Sequence, residues 1–462
     1  MSGHALVSTA LADYRAAEAR TLALIDPARH ADASPAAMRG RARGRFDRFR
    51  RFMAYLGDPQ RQLRVVHVTG TSGKGSTCAM IAAILAASGY RVGTHTSPYL
   101  QVATEKLQIG DRLLDGSAFR ADVEATLDAG KRWRRAAGET ERLTYGECWM
   151  ALTFRRLLAE RVDVAVIEVG AGGRYDLSNV VTPLACAITT VGADHLATLG
   201  PTLHDVAWHK AGIIKPGAVA ATGVSDPNLL AIIRDEAQAA GSPLLLAAET
   251  ALPAVQLGMD GAFQPANARM AVTVARALAT RGWEIPDEAI ERGLAAARLP
   301  GRWETMPASR PRVVVDGAHN PDKAALFAAT VRADRARFAG PKPVMLLGLL
   351  GAKDAAGIVA ALAPEATAIV VTRPSVVGKQ SLEPQMLAAA IRSAPFAGPI
   401  EVEPDALTAL AVAETLARAE ETSIVVAGSL YLAGAIRNRW FPADEIVIQR
   451  TSWPRIASPA GA

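Results

Sequence analysis

The chain has 462 residues, half of them hydrophobic and 21% charged, with a formal net charge of +6, so it exceeds the size of a single hydrophobic core and two or three domains are expected. No apolar run approaches the roughly 20 residues of a membrane span, which excludes a membrane helix. Much of the basic excess lies between Arg39 and Arg51 and reads as a solvated helical face; without a basic groove interleaved with aromatics it does not argue for nucleic acid, and the modest positive balance suits polyanionic small substrates.

In chain order, the Ala- and Arg-rich first fifty residues read as helices packed on the first domain, and Leu56-Gly57-Asp58-Pro59-Gln60 as a turn. The segment Val65 to Thr77 then runs an apolar strand into a glycine-rich turn with one lysine and on into a helix. That is the build of a triphosphate cradle. Glycines let backbone N–H groups of Gly70, Thr71, Ser72, Gly73 and Gly75 turn toward phosphate oxygens, Lys74 supplies a mobile charge, and Ser76 or Thr77 offers a hydroxyl for Mg²⁺. The spacing matches the general P-loop only loosely, because Gly75 separates the lysine from the hydroxyl residue.

Further strands are expected near Arg64 to Thr69, Arg91 to Thr96, Val162 to Glu168, Ala185 to Thr190 and Ala218 to Thr222, with helices such as Ser117 to Ala137 and Thr144 to Arg161 between them. This alternation predicts a mostly parallel sheet with helices on both faces. Glu168 falls at the carboxyl edge of its strand, where ligands of open α/β sheets sit, and could hold Mg²⁺ or serve as a cap or ion-pair partner. Asp194-His195 follows the next strand and points to metal or phosphate contact. Lys210 precedes a Pro-Gly stop and, on local physics alone, is an ordinary surface lysine. After Leu299-Pro300-Gly301-Arg302, which reads as a hinge, a second series is expected: Arg312 to Asp316, Pro343 to Leu347, Ala368 to Thr372, Ile400 to Glu403 and Ser423 to Ala427. Cys78, Cys148 and Cys186 lack paired or metal-ligand spacing and read as buried thiols of a reducing compartment. With no signal-peptide or transit-peptide pattern at the amino terminus, a cytoplasmic location is the default expectation.

These segments, in this order, resemble the folylpolyglutamate synthase and dihydrofolate synthase branch of the Mur ligase family. The resemblance runs from about Leu56 to Gly434. It is carried by Thr69 to Thr77, Ser97-Pro98-Tyr99-Leu100 with Thr104-Glu105-Lys106, Glu168 to Asn179, Asp194-His195 through Leu199-Gly200, and His209 to Ile213. Leu299 to Arg302, Asp316-Gly317-Ala318-His319-Asn320-Pro321 and Gly428 to Leu432 complete it. The resemblance implies a P-loop parallel-sheet ATP-binding domain with N-terminal helices over 1–302, then a smaller Rossmann-like glutamate-ligase domain over 303–462. It also implies ATP-dependent addition of L-glutamate to dihydropteroate, to reduced folates, or to both, through an acyl phosphate.

By the same resemblance, Gly70 to Thr77 with Lys74, Asn267, Arg302 and Asp316 contact ATP, and Ser97, Glu168 and His195 are Mg²⁺ ligands, two metal sites being expected. Lys210 matches a lysine that is carbamylated in the family, and His319 and Ser429 fall where glutamate is expected, His319 with a catalytic part. The resemblance suggests a monomer with no nucleic-acid or membrane partner. The chain departs from the family pattern at Tyr99, where histidine is usual, at Tyr175 and Ser178, at Ala193, at Trp208-His209, and in Thr144-Tyr145-Gly146-Glu147. None of these removes a phosphate or metal group, but several lie where the pterin-bearing substrate is expected. Two alternatives stand beside this reading: a related ligase for a non-folate carboxylate, and a nucleotide-binding regulator that has lost ligation.

Overall fold

The computed structural model describes residues 3–26, 34–338, 340, 342–351 and 353–456. Eight strands form the first sheet: β1 (Val65–Thr69), β2 (Val92–His95), β3 (Leu107–Ile109), β4 (Arg112–Leu113), β5 (Val164–Glu168), β6 (Ala185–Ile188), β7 (Val219–Thr222) and β8 (Leu244–Leu246). Their order is β4-β3-β2-β5-β1-β6-β7-β8. Only β3 and β4 run antiparallel to their neighbours. All residues of β1 and β5 are buried, as a sheet covered by helices on both faces requires.

The second sheet contains β9 (Glu304–Thr305), β10 (Val313–Val315), β11 (Val344–Leu347), β12 (Ala368–Val371), β13 (Ile400–Val402) and β14 (Ile424–Ala427). The order is β13-β12-β11-β14-β10-β9, with β9 alone antiparallel. The expected α/β architecture of two mostly parallel sheets is therefore present. Strand limits agree with the sequence reading to within a few residues; β3, β4, β8 and β9 are additions. Thr189 and Thr190, read as strand, instead leave the sheet and bond to the phosphate loop.

The two amino-terminal helices, Gly3–Leu22 and Pro35–Tyr55, pack on the first sheet as expected. Residues 27–33 between them lie outside the described residues. Tyr14, Phe49, Phe52, Trp133 and Trp149 share one core, and each fully buried large apolar side chain of this kind stabilises the fold by roughly 1.5–3 kcal/mol. Ile446 and Val447 of the last helix, Ala443–Gln449, enter the same core, so the carboxyl end of the chain returns to the first sheet. All three cysteines are free and buried. No helix among the described residues is long and apolar enough to cross a membrane.

Candidate active site

The carboxyl ends of β1, β5 and β6 open onto a cavity of about 410 Å³ that the second unit closes from above. Its walls bring together Thr71, Ser72, Gly73, Lys74, Gly75 and Ser76 from the loop after β1, Ser97 after β2, Glu168 at the end of β5 and His195 after β6. Asn267, Arg302, Asp316 and His319 complete the set. Of the residues singled out in the sequence, Gly70, Thr77, Lys210 and Ser429 do not line this cavity.

The loop after β1 is held by the end of β6. Thr71 N donates to Thr190 O (2.9 Å), Ser72 N to Thr190 Oγ1 (2.9 Å) and Thr189 Oγ1 to Ser72 O (2.5 Å). Gly73, with φ of 84°, starts the helix Lys74–Ala87; a Cβ there would collide with Oδ1 of Asn267, so both backbone conformation and close approach require glycine. Lys74 Nζ donates to Gly70 O (2.9 Å), folded onto its own loop. Of the two candidate hydroxyls, Ser76 faces the cavity, whereas Thr77 Oγ1 is buried without a partner.

Glu168 accepts a hydrogen bond from Ser97 N (2.9 Å). Burial raises its pKa, and the Lys74 charge opposes that shift. Among the described residues no group of three or more His, Cys, Asp or Glu side chains could hold a metal ion alone. One buried carboxylate in a phosphate-loop cavity nonetheless fits Mg²⁺, which takes one or two carboxylates and completes its shell with water and phosphate oxygens. His195 adopts a left-handed backbone (φ 58°) and is half-exposed.

Asp194 lies at the junction of the two units. It accepts from Asn320 Nδ2 (3.2 Å) and Lys353 Nζ (3.3 Å), with Lys323 Nζ at 3.9 Å. Burial works to raise its pKa, but His195, Lys353 and Lys323 outweigh it and hold the carboxyl below the usual range. His319 Nδ1 bonds Gly317 O (2.7 Å), and its Nε2 faces Lys323 Nζ at 3.1 Å. Because a carbonyl only accepts, Nδ1 carries the proton and Nε2 presents its lone pair. Burial, then Lys323, keeps this imidazole neutral. Asp316 accepts from Trp303 N (2.8 Å) and Ala318 N (2.7 Å), which fixes the turn carrying His319.

Two residues missed in the sequence belong here, Lys323 and Lys353. Lys323 lines the cavity, and burial followed by the Lys74 charge lowers its pKa to about 7. A signal existed: Lys323 stands in the first turn of the helix Pro321–Ala333, where the helix dipole disfavours a cation. Ser429 is buried and caps the helix Leu430–Arg437 by accepting from Tyr431 N (3.2 Å), so its neighbour Leu430 reaches the cavity instead.

Lys210 corrects the local reading. It is 2% exposed, within the helix Leu203–Ala211, and burial with the nearby Lys74 charge drives its pKa well down. Local sequence could not show this, because packing against the glycine-rich segment after β5 buries it: a Cβ on Gly173 would strike His209 O and approach Lys210 Cα. Three of the departures from the family pattern, Tyr175, Trp208 and His209, pack together. The Tyr175 ring lies 6.3 Å from Phe46, 6.2 Å from Trp208 and 5.8 Å from His209, and Arg174 stacks 4.0 Å over Trp208.

Comparison with known proteins adds a second line. Residues 68–251 match the Mur ligase middle domain and residues 301–430 the Mur ligase glutamate ligase domain. The folylpolyglutamate synthase of Lacticaseibacillus casei is 33% identical over 406 residues, covering 83% of this chain and 91% of that protein. A probable bifunctional folylpolyglutamate synthase/dihydropteroate synthase of Haloferax volcanii is 33% identical over 419 residues, 85% of this chain; the chain spans 48% of that relative's length. The Mycobacterium tuberculosis folylpolyglutamate synthase complexed with ADP and AMPPCP superposes with a TM-score of 0.78 at 29% identity, covering 86% of this chain and 95% of that one.

Proposed function

Because the chain belongs to the Mur ligase family and, within it, to the folylpolyglutamate synthase group, we propose that it joins L-glutamate to dihydropteroate, to reduced folates, or to both, at the expense of ATP. The observation that carries this reading is one cavity that holds a phosphate loop, a buried strand-end carboxylate and the Asp316-to-Asn320 turn from the second unit. In this reading the acceptor carboxylate attacks the γ-phosphate and ADP leaves. The glutamate amine then attacks the acyl carbon, phosphate departs, and the amine's proton passes to a base.

Each residue has a part in that sequence. Backbone N–H groups from Gly73 to Ser76 and the start of the helix Lys74–Ala87 stabilise phosphate charge. Lys74, freed from Gly70 O, and Arg302, from the opposite wall, neutralise charge that develops on the transferring group. The Nε2 lone pair of His319 is a proton acceptor on the same wall, and Lys323 and Lys353 supply cations for the carboxylates of glutamate. Mg²⁺ would be held by Glu168 with Ser97 and His195, and when bound it would neutralise phosphate charge. Lys210, buried and with no side-chain hydrogen bond or ion pair among the described residues, is available as an amine whose pKa burial drives well down. Reaction of the free amine with carbon dioxide gives a carbamate and releases one proton, placing an anion among Lys74 and Lys323, where a cation is disfavoured. Enclosure of the cavity between two units keeps water from the acyl phosphate. We place the domain boundary at Arg302 and Trp303, and take the chain to act as a monomer in the cytoplasm.

Phosphate release by the purified protein with MgATP and L-glutamate tests the reading. Stimulation by dihydropteroate, by tetrahydrofolate or by both is expected over the rate without acceptor. Silence with both pterins would overturn the folate assignment and leave a ligase for another carboxylate.

A further inference from the structure

The cavity has a charged part and an apolar part. Lys74, Glu168 and Arg302 line it and act on one another electrostatically, whereas Ala262, Phe263, Ala266, Ala318 and Leu326 line it with apolar surface. Ala262 N donates to Thr330 Oγ1 (3.2 Å), which donates to Leu326 O (3.0 Å), and Phe263 packs on the core that holds Ala318, so these apolar residues of the two units meet at one end. A nucleoside triphosphate has one flat, weakly polar part and one polyanionic part. Its base therefore belongs among the apolar residues, with its phosphates on the loop from Thr71 to Ser76.

Asn267 is the side-chain amide in that wall. It stands four residues after Phe263 at the start of the helix Gln264–Ala279, on the same face, and both line the cavity. Asn267 Oδ1 lies against Gly73 of the phosphate loop and, among the described residues, accepts no hydrogen bond. Its Nδ2 is engaged, donating to Gln264 Oε1 (2.9 Å). Gln264 is 0% exposed, does not line the cavity, and leaves its own Nε2 without a partner. A buried amide with an unpaired donor is costly, and the bond it does make fixes which end of the Asn267 amide is left over: the oxygen, which can only accept.

We propose that Gln264 is a positioning residue that sets the base selectivity of the cavity. By holding Asn267 Nδ2 it leaves Oδ1 for the base, where an acceptor takes a hydrogen bond from the 6-amino group of adenine and opposes the oxygen of a 6-oxo purine. The proposal rests on the reading of the cavity as the ATP site of a ligase. It adds a reason for adenine in particular, because apolar contacts and phosphate contacts serve every purine triphosphate alike.

The test measures binding of MgATP and of magnesium inosine triphosphate, a 6-oxo purine nucleotide, to the wild type, Gln264→Met, Gln264→Glu and Asn267→Asp. The wild type favours ATP by about tenfold to a hundredfold. Methionine keeps the length of glutamine and removes the unpaired donor, but frees the Asn267 amide to turn its Nδ2 toward a 6-oxo group; the preference falls to about threefold or less, chiefly through tighter binding of the inosine nucleotide. Glutamate still accepts from Nδ2 and retains most of the preference. A merely structural role would weaken both nucleotides together and leave their ratio intact. Equal affinity of the wild type for the two, or an unchanged ratio in the methionine variant, overturns the proposal. Asn267→Asp presents acceptors only and raises the ratio; it decides the matter if the methionine variant does not fold, and a ratio it leaves unchanged or lowers overturns the proposal. Binding needs no acyl acceptor, which separates this failure from failure of the ligase reading. If no pteroyl acceptor turns over, a ratio lost in Gln264→Met still upholds the role of Gln264, and a wild type that binds neither nucleotide overturns both.

Discussion

At the scale of single residues, the chemistry depends on lysines removed from water. Lys210 is buried, and burial followed by the Lys74 charge drives its pKa well down, which would be an unexplained cost unless the amine is modified or used. Lys210→Ala is expected to lower kcat by about tenfold to a hundredfold while nucleotide affinity changes little, and bicarbonate should not rescue it. Equal losses of ATP binding and turnover would remove Lys210 from acyl-phosphate chemistry. Lys106 is a second buried lysine, 4.8 Å from the Tyr145 ring and 4.6 Å from the Trp149 ring, with a pKa pushed down to about 7 by burial. Its ordinary value is 10.5, so below about pH 7 the fold must hold a buried cation. Between those two values the folded lysine is neutral while the unfolded one remains charged. The unfolded state then binds more protons, and stability rises with pH. Lys106→Met should therefore raise Tm clearly at pH 6 and by less at pH 9; a gain independent of pH would show that this lysine does not titrate as described.

At the scale of elements, one buried ion pair ties the amino-terminal helices to the nucleotide unit. Arg48 Nη1 reaches both oxygens of Glu147 (2.7 Å each), and Glu147 also closes the capping box of the helix Tyr145–Ala159 with Thr144. Arg48 and Glu147 side chains are 8% and 1% exposed. Arg48→Ala leaves a buried carboxylate without its cation and should cost about 3–5 kcal/mol. Arg91→Ala, which breaks the exposed pair with Glu160, should cost about 0–1 kcal/mol. Urea unfolding of both variants checks the contrast. The β-branched runs of β1, β5, β10 and β14 were legible in the sequence because both faces of these strands are buried. The missed strands β3, β4, β8 and β9 have two or three residues each, too short for alternation to appear. The phosphate loop was legible because its glycines are required by backbone geometry. The approach of Lys323 to Asp194 and the burial of Lys210 were not, since each arises only when distant segments meet.

At the scale of the whole molecule, function requires two α/β units to face each other across one cavity. Arg437 anchors that arrangement. Fully buried, it donates to both Glu304 oxygens (2.8 and 2.9 Å), to Gln101 Oε1 (2.6 Å) and to Ser452 O (2.7 Å), linking the second sheet to the first unit and to the returning carboxyl end. Asp194 with Asn320 and Lys353 makes a second contact at the cavity itself. The order of the motifs revealed both units, but not this return of the chain, because Ser452 and Trp453, whose Nε1 donates to Glu304 Oε1 (2.8 Å), carry no motif. The central claim is that an acceptor carboxylate is activated by phosphoryl transfer inside this cavity. The most direct measurement uses an acceptor whose reacting carboxylate is labelled with heavy oxygen, incubated with the protein, MgATP and L-glutamate. One labelled oxygen should appear in the released inorganic phosphate. Amide product formed with unlabelled phosphate, or with the label in AMP, would contradict the acyl-phosphate route.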